Sequence, residues 1–325
     1  MRLAVLDIGS NSVKLQVLDA YPGAPPLPTF AFSSPLRLSE HLDAHGAINA
    51  AGMRGLVAAA SHAVDVAQHH EAREMIAFAT QAVRQAPNGA EVCRLLADEA
   101  GVTVEQLTGE DEARFTFLAA RRWFGWSGGR LLLLDIGGGS LEIAYGRDEE
   151  PSLAVSVPLG AGELTRSHLP DDPPRGQQIK ELRRHVKRTI GEIADRLRWE
   201  GVPACVVGTS KTFKQLARLT GGPRQRKGPF VDRYVRRAEL HRGVERMATM
   251  NRNERAALPG VAKSRARQIL AGAVVAESTM RLLDIEVLSV CPWALREGMV
   301  LRKLDRVERP ESQHDAAIID NATER

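Results

Sequence analysis

The stretch Leu3-Ala-Val-Leu-Asp-Ile-Gly-Ser-Asn-Ser12 recurs as Leu131-Leu-Leu-Leu-Asp-Ile-Gly-Gly-Gly-Ser140, at a constant offset of 128 residues. Six of the ten aligned positions are identical, among them the aspartate, the isoleucine and the first glycine. Each copy reads as an apolar strand ending in an aspartate, a glycine-containing turn, a serine and a second strand. An internal repeat of this kind predicts two halves of similar architecture.

The chemistry of the repeated turn suits a phosphate group. Glycines allow successive backbone N–H groups to point toward one anion, and the serine adds a hydroxyl donor. Asp7 and Asp135 stand where a carboxylate can hold a metal ion or an activated water beside that anion. A single Asp-Ile-Gly turn is at least as well explained as a tight hairpin in which the aspartate satisfies its own backbone. Two copies in two halves favour a pair of phosphate-binding loops that face each other across a cleft.

The rest of the chain alternates between predicted strands and helices, which indicates an α/β fold. Strands are predicted at 3–8, 13–18, 75–80, 102–107, 130–135, 141–146, 152–157, 204–207 and 286–290. Helices are predicted near 50–68, 89–100, 110–124, 176–198, 211–219, 238–250, 265–283 and 293–304. Domains are therefore expected at 1–125 and 126–304, with the last helix free to pack back on the first domain. Residues 305–325 are polar and are expected to be a disordered tail.

Composition limits the class of protein. The 325 residues are 43% hydrophobic and 26% charged, as in an ordinary soluble globular protein. No apolar stretch approaches the ~20 residues of a membrane helix, and the chain enters a strand at once, without the regions of a signal peptide. Cys93, Cys205 and Cys291 are far apart and predict reduced, buried thiols, so we expect a cytoplasmic protein with no membrane partner. Aromatic residues make up only 5%, with no stacking platform, so nucleic acid is not an expected partner.

Four further segments carry a family resemblance: Phe78-Ala-Thr-Gln-Ala-Val-Arg84, Gly109-Glu-Asp-Glu-Ala-Arg114, Val207-Gly-Thr-Ser-Lys-Thr212 and Leu295-Arg-Glu-Gly298. Together with the two repeated loops, and in this order, they resemble the exopolyphosphatase and guanosine pentaphosphate phosphatase family over about residues 1–304. The first resembles the family's Ala-Thr-x-Ala-x-Arg segment, the second its catalytic-glutamate motif and the last its closing segment. Without extra C-terminal helical domains, the chain resembles the short, two-domain branch of the family.

The resemblance implies two actin-like (ribonuclease H-like) domains facing a central cleft, as in the superfamily of actin, sugar kinases and heat-shock chaperone ATPases. It implies an exopolyphosphatase that hydrolyses the terminal phosphate of inorganic polyphosphate with Mg²⁺, with Mn²⁺ as a second option. Three alternatives stay open: a guanosine pentaphosphate (pppGpp) 5′-phosphohydrolase of the stringent response, a kinase or ATPase on the shared fold, and a non-catalytic polyphosphate or nucleotide sensor. The glutamate motif favours hydrolysis. A homodimer is a further option.

Glu112 is the residue that the resemblance identifies as catalytic, activating the water that attacks the terminal phosphorus. Glu110 and Asp111 share its helical turn, where acidic residues also favour the helix dipole, and the residues alone do not separate the three. Arg84, by its place in the matching motif, would bind phosphate or stabilise transition-state charge. A surface salt bridge is the alternative for Arg84, as for most of the 44 basic residues.

Asp7, Asp135 and Glu142 are the metal candidates, directly or through water, because Mg²⁺ takes one or two carboxylates plus substrate phosphates. Glu142 follows Ser140 by two residues and so shares its strand face. The alternative for Glu142 is an exposed strand glutamate. The phosphate-binding candidates in the two loops are Ser10, Asn11, Ser12, Gly137, Gly138, Gly139 and Ser140.

A third loop stands where the superfamily places its adenosine loop, and its candidate residues are Gly208, Thr209, Ser210 and Lys211. Such a loop offers N–H groups to phosphate at the start of a helix. The equally weighted alternative is that Thr209 or Ser210 simply caps that helix.

Two basic stretches are candidates for a track along a long polyanion. Residues 221–237 include Arg224, Arg226 and Lys227, and the predicted helix 176–198 has a basic face opposite an apolar stripe. The usual meaning of such a face is solvation. A polyphosphate track predicts instead that these charges contact phosphates beyond the one being cut.

Overall fold

The computed structural model describes residues 1–36 and 38–308, and its strands form two sheets. The strands of the first sheet are β1 (Arg2–Ile8), β2 (Ser12–Asp19), β3 (Phe30–Pro35), β4 (Glu74–Ala79) and β5 (Glu105–Gln106). Those of the second are β6 (Leu131–Ile136), β7 (Leu141–Gly146), β8 (Leu153–Val157), β9 (Cys205–Thr209), β10 (Tyr234–Arg236) and β11 (Val287–Val290).

The two sheets repeat one topology. The first has the order β3-β2-β1-β4-β5, and the second has β8-β7-β6-β9-β11 with β10 added at its edge. In each sheet the opening strand forms an antiparallel hairpin with the next strand and pairs in parallel with the strand after the first crossover. The duplication read from the sequence is therefore confirmed at the level of strand order and direction.

Helices flank both sheets. They are α1 (Ala50–His69), α2 (Gln81–Arg84), α3 (Gly89–Ala100), α4 (Gly109–Phe124), α5 (Ala161–His168), α6 (Gly176–Glu200), α7 (Ser210–Leu219), α8 (Arg237–Ala248), α9 (Arg252–Ala256), α10 (Ile269–Leu282) and α11 (Leu295–Glu308). No described helix is long and apolar enough to span a bilayer.

The predicted elements are present, and the differences lie in short or edge elements. The strand predicted at 102–107 shrinks to β5, because only two of its residues pair with β4. The edge strands β3 and β10 and the short helices α2, α5 and α9 were not predicted, since each is too short to show a clear period. The last helix continues one turn past Leu304, and the remainder of the predicted tail, residues 309–325, lies outside the described residues.

The helices α4 and α11 each pack on the sheet of the opposite half of the chain. The buried face of α4, including Ala113 and Phe117, packs on β6, β7 and β8 of the second sheet. The α11 residues Met299, Val300 and Leu304 pack instead on β1 and its neighbours in the first sheet. The connections therefore cross between the sheets, and the boundary at residue 125 stays a prediction.

The crossing of α4 and α11 depends on a glycine. A Cβ at Gly298 would lie 1.9 Å from the backbone oxygen of Phe115, a distance that no side chain can occupy without moving a helix. We expect Gly298→Ala to lower the melting temperature by about 2–12 °C, from an overpacking cost of ~1–3 kcal/mol. Differential scanning calorimetry measures this.

Gly191→Ala is the matched control, because nothing lies within 4 Å of a Cβ added at this position of α6. Alanine in an open helical position should raise stability slightly, by ~0.5–1 kcal/mol. Equal melting temperatures for Gly298→Ala and the wild type would show that the helices do not meet at Gly298.

Candidate active site

The two repeated loops face each other across the gap between the sheets. The same backbone hydrogen bond closes both turns, from Gly9 N to Ser12 O (3.1 Å) and from Gly137 N to Ser140 O (2.9 Å). A Cβ at Gly138 would lie 3.0 Å from both Asn11 Nδ2 and Ser10 Oγ, which belong to the opposite loop. The two repeated loops therefore face each other as predicted, and their binding of phosphate stays a prediction.

Backbone hydrogen bonds engage carbonyl groups of both loops. Gly138 O accepts a hydrogen bond from Gly162 N (2.8 Å). At the start of α5, Gly137 O accepts from Ala161 N and Gly139 O accepts from Gly160 N. In the first loop, Ser10 O and Asn11 O accept from Leu38 N and Leu36 N. With these carbonyls engaged, and apart from the turn-closing Gly9 and Gly137 amides, the loop N–H groups can form a concave anion-binding surface.

A cavity of about 340 Å³ lies between the loops. Its acidic lining residues are Asp7, Glu112, Asp135 and Glu142. Its basic lining residues are Lys14, Lys211, Lys214, Arg265 and Arg296. It also contains the loop residues Ser10, Asn11, Ser12, Gly137, Gly138, Gly139, Ser140 and Ser210. The cavity thus combines carboxylates suited to a hard cation with amides and cations suited to phosphate.

The start of α4 separates the three neighbouring acids. Asp111 forms a capping box with Thr108, whose hydroxyl lies 2.5 Å from the Asp111 carboxylate. Glu110 is exposed and pairs with Arg114 at 2.6 Å. Glu112 alone of the three lines the cavity, with 7% of its surface exposed. The geometry therefore selects Glu112 as the general-base candidate.

Glu112 is held by Arg84. The Arg84 Nη1 atom donates to Glu112 Oε1 at 2.5 Å and also donates to the carbonyl of Leu107. Burial raises the pKa of Glu112 to about 7, against the opposing effect of Arg84 and with a smaller contribution from Asp135 and Asp7. A carboxylate with a pKa near neutrality can accept a proton from water at physiological pH.

Arg84 does not line the central cavity. It lines an adjoining cavity of about 520 Å³ together with Gln81, Gly109 and Ser156. Its contact with Glu112 is that of a residue which positions the base candidate, and the phosphate-binding role that the motif implied stays a prediction. The strand-to-helix turn before α2 places it there.

Asp135 is oriented by the third loop. Thr209 Oγ1, which is fully buried, donates to Asp135 Oδ2 at 2.6 Å. Because Thr209 makes no side-chain capping bond to α7, the capping alternative does not apply to it. Ser210 has a φ of 71°, a conformation unusual for serine. Gly208 does not line the cavity, since it packs under Leu288 and Phe213 inside the second sheet.

The other two acids also have fixed neighbours. Ser156 Oγ donates to Glu142 Oε1 at 2.9 Å, and Glu142 is 4% exposed. Burial raises the pKa of Glu142 well above its ordinary range, and burial also raises the pKa of Asp135. Asp7 Oδ2 lies 3.4 Å from Lys14 Nζ and 3.7 Å from Arg296 Nε.

The acids suit a metal that retains water. Within residues 1–36 and 38–308, no group of three or more Asp, Glu, His or Cys side chains is arranged to hold a metal by itself. Asp135 and Glu142 are direct cross-strand partners, so their carboxylates adjoin each other. Two neighbouring carboxylates beside phosphate loops fit the requirements of Mg²⁺, which keeps several waters and binds substrate phosphates.

Four cations of the cleft were not predicted. Lys14 is the repeat equivalent of Glu142, at the same offset of 128, and pairs with Asp7 as Glu142 pairs with Asp135. The repeat could have identified it. Lys214 lies one turn after Ser210 and Lys211 on α7, so helical spacing could also have indicated it. Arg265 comes from a distant segment with no local signal, whereas Arg296 lies in the closing segment Leu295–Gly298, whose resemblance gave it no role in the site.

The predicted basic track is divided by the structure. Arg224 lines a cavity next to the cleft, whereas Arg226 and Lys227 are exposed on the same loop and line none of the cavities described here. The basic face of α6 is exposed, and none of its residues lines the cleft or that neighbouring cavity. Only Arg224 of the three loop residues is therefore placed near the candidate substrate path.

The fold is that of an actin-like protein, and its cleft combines two glycine-containing loops with a buried carboxylate. The chain belongs to the Ppx/GppA phosphatase family, whose model matches residues 29–307. It is 48% identical to Exopolyphosphatase 1 of Mycobacterium tuberculosis over 305 residues, covering 94% of this chain and 89% of that protein. It is 47% identical to Exopolyphosphatase 1 of Mycobacterium leprae, covering 94% and 90%.

Solved structures show the same fold. An exopolyphosphatase from Cytophaga hutchinsonii superposes with a TM-score of 0.84 at 22% identity, covering 94% of this chain and 98% of that one. The Ppx/GppA family member of Aquifex aeolicus gives a TM-score of 0.79 at 23% identity, covering 96% and 99%. The predicted family and the predicted actin-like fold are both confirmed.

Proposed function

We propose that this protein is an exopolyphosphatase, which removes the terminal phosphate of inorganic polyphosphate in a Mg²⁺-dependent reaction. The observation that carries the proposal is the position of Glu112, a buried carboxylate with a raised pKa that lines the same cavity as both phosphate loops. The mycobacterial relatives named exopolyphosphatase support the choice of polyphosphate.

The loops bind and orient the end of the chain. The terminal phosphate lies between the N–H groups of the two loops, with the hydroxyls of Ser12 and Ser140 as further donors. Lys14, Lys211 and Arg265 line the same cavity and balance charge that builds on the phosphate oxygens in the transition state. Phosphoryl transfer needs little more from a protein than such positioning and electrostatic stabilisation.

Glu112 activates the attacking water. One carboxylate oxygen is held by Arg84, and the carboxylate accepts a proton as the water oxygen bonds to the terminal phosphorus. The bond from that phosphorus to the bridging oxygen breaks, and the shortened chain leaves with the bridging oxygen. Water is consumed and one inorganic phosphate is released.

Asp135 and Glu142 would hold Mg²⁺, with Asp7 as a further ligand directly or through water. The bound metal supplies charge neutralisation at the substrate phosphates. The hydrogen bonds from Thr209 and Ser156 fix the orientation of the first two carboxylates, as outer partners of metal ligands commonly do.

The raised pKa of Glu112 predicts how kcat/KM for polyphosphate falls at low pH. Only the ionised carboxylate accepts a proton, so kcat/KM for polyphosphate should rise with pH and reach half its plateau at about pH 7. An initial-rate series from pH 5.5 to about 9 at saturating Mg²⁺ measures this. Arg84→Gln removes the cation that lowers this pKa, so its midpoint should move to higher pH; a midpoint near 4.5 in the wild type would contradict the assignment.

A panel of substrates tests the proposed function. Purified protein is incubated with tripolyphosphate, long-chain polyphosphate, pppGpp and ATP, and released phosphate is measured. We expect the highest kcat/KM with polyphosphate. Preferential release from pppGpp would replace the proposal by the nucleotide alternative, and release from none of the four would favour a sensor.

A further inference from the structure

Gln81 is a buried amide in the cleft that has no role in the steps assigned to Glu112 and the two loops. Its side chain is 7% exposed and lines the central cavity together with Glu112 and both loops. Neither its oxygen nor its nitrogen makes a hydrogen bond to another residue within 1–36 and 38–308. The amide can therefore offer one acceptor and two donors to whatever occupies the cavity.

The helix α2 places Gln81 between the base candidate and the second loop. Gln81 is the first residue of α2 and Arg84 is the last, so the two lie on one face of a single turn. Arg84 donates to Glu112, whereas the Gln81 amide lies against Gly139. An attacking water must lie between these same two groups, because it gives a proton to Glu112 and bonds to a phosphorus that the loops hold.

The contact between Gln81 and Gly139 depends on the missing side chain of the glycine. The three atoms nearest to a Cβ added at Gly139 all belong to Gln81: Oε1 at 1.9 Å, Cδ at 2.5 Å and Nε2 at 2.9 Å. The φ of Gly139 lies outside the left-handed region, so the backbone itself does not require a glycine there. The amide of Gln81 supplies the steric reason for it.

The position of Gln81 also gives water a route to the base. Gln81 and Ser140 line both the central cavity and the adjoining cavity of about 520 Å³. That adjoining cavity contains Arg84, on the side from which Glu112 is held. Water that enters from the adjoining cavity thus passes the Gln81 amide before it reaches the carboxylate.

We propose that Gln81 is a further catalytic residue, which holds the attacking water between Glu112 and the terminal phosphorus. The proposal rests on the proposed function, because it needs a terminal phosphate in the two loops. The Gln81 oxygen accepts a hydrogen bond from one O–H of the water while Glu112 accepts from the other. Such placement of a nucleophile is the main contribution that a protein makes to phosphoryl transfer.

The reaction step then balances as follows in atoms and charge. The water oxygen bonds to the terminal phosphorus, and the proton that faces Glu112 is transferred to its carboxylate. The proton that faces Gln81 stays on the oxygen, which becomes a hydroxyl of inorganic phosphate. The bond from phosphorus to the bridging oxygen breaks, and its electron pair leaves with the shortened chain.

Gln81→Ala should lower kcat for polyphosphate by about 10- to 100-fold, the cost of a misplaced nucleophile. KM should change by less than about threefold, because the loops and the cleft cations are unaltered. Gln85→Ala is the matched control, since Gln85 follows α2 directly, is exposed and lines only the adjoining cavity. It should leave kcat and KM within about twofold of the wild type. Initial rates of phosphate release measure both variants.

A double-mutant cycle with Gly139→Ala tests the contact directly. A methyl group at position 139 keeps the loop N–H but displaces the Gln81 amide, so Gly139→Ala alone should lower kcat by about tenfold or more. In the Gln81→Ala background the methyl group meets no amide, and the double variant should lose less than about threefold beyond Gln81→Ala. Should Gly139→Ala fold poorly, Gln81→Asn provides the test, because its amide is one methylene shorter and should also lose about tenfold or more.

Kcat values of Gln81→Ala within about twofold of the wild type, or equal losses in Gln81→Ala and Gln85→Ala, would overturn the proposal. Losses that multiply in the double variant would overturn the contact on which it depends. If the wild type releases no phosphate from any polyphosphate, the proposed function fails. If the wild type is active and Gln81→Ala behaves like Gln85→Ala, only the role of Gln81 fails.

Discussion

Glu112→Gln should lower kcat for polyphosphate by about 100- to 10,000-fold, which is the contribution of a positioned general base. The amide has nearly the same shape as the carboxylate, but it cannot accept the proton of the attacking water. KM should change by less than about threefold, because the phosphate loops and the cleft cations are untouched. Initial rates of phosphate release at saturating substrate measure the loss.

Glu110→Gln is the matched control. Glu110 lies two residues away on the same turn of α4, but it is exposed and paired with Arg114. Its substitution should leave kcat within about twofold of the wild type. Comparable losses in both variants would show that the acidic turn acts through its total charge, and retention of activity in Glu112→Gln would remove Glu112 as the base.

The raised pKa of Glu112 also predicts how Glu112→Gln changes the stability of the fold with pH. The pKa of Glu112 rises from an ordinary 4.5 to about 7 on folding, so the folded state holds this proton more tightly than the unfolded state. The resulting stabilisation is complete below pH 4.5 and is lost as pH rises through 7. Glutamine mimics the protonated acid, so Glu112→Gln should melt higher than the wild type at pH 8 and similarly at pH 5.

Asp135→Asn should lower kcat/KM by about 100-fold or more and raise the Mg²⁺ concentration needed for half-maximal rate by about tenfold. The substitution removes a carboxylate charge from the proposed Mg²⁺ site, and a bound metal contributes several kcal/mol to phosphoryl transfer. The fold should persist, because the hydroxyl of Thr209 can bond to an asparagine as well as to an aspartate. Rates measured across a Mg²⁺ titration give both quantities.

Asp148→Asn is the control for charge alone, since Asp148 is an exposed acid on the turn after β7. It should leave the Mg²⁺ titration unchanged. Glu142→Gln should shift the titration in the same direction as Asp135→Asn. Unchanged titrations for both Asp135→Asn and Glu142→Gln would exclude these residues as the metal anchors.

The parts of the site that could be predicted from the sequence are those formed by one contiguous segment with a local sequence signal. The loops at Asp7 and Asp135 are contiguous, carry their own turn residues and occur twice, so their facing arrangement followed from the repeat. Glu112 needed the family resemblance, because a first helical turn with three acids has the same local pattern whichever one faces the cleft. The structure separates them through two short-range partners, Thr108 and Arg114.

The remaining parts depend on contacts between distant segments. Arg296 reaches Asp7 because α11 crosses back to the first sheet, and that crossing depends on the close approach of Gly298 to Phe115. The pairing of Arg84 with Glu112 joins two motifs that each looked like an independent phosphate-site element. The support of the second phosphate loop comes from α5, a helix too short to predict from its pattern.

The most direct test of exopolyphosphatase activity is to follow the length of the polyphosphate as purified protein acts, in Mg²⁺, on polyphosphate of one defined length. Gel electrophoresis resolves the products while released phosphate is measured in the same samples. We expect one inorganic phosphate to appear for each unit of shortening, from the chain end, and we expect Glu112→Gln and Asp135→Asn to leave the starting length almost unchanged. Internal fragments of intermediate length without matching phosphate, or equal shortening by the wild type and Glu112→Gln, would contradict it.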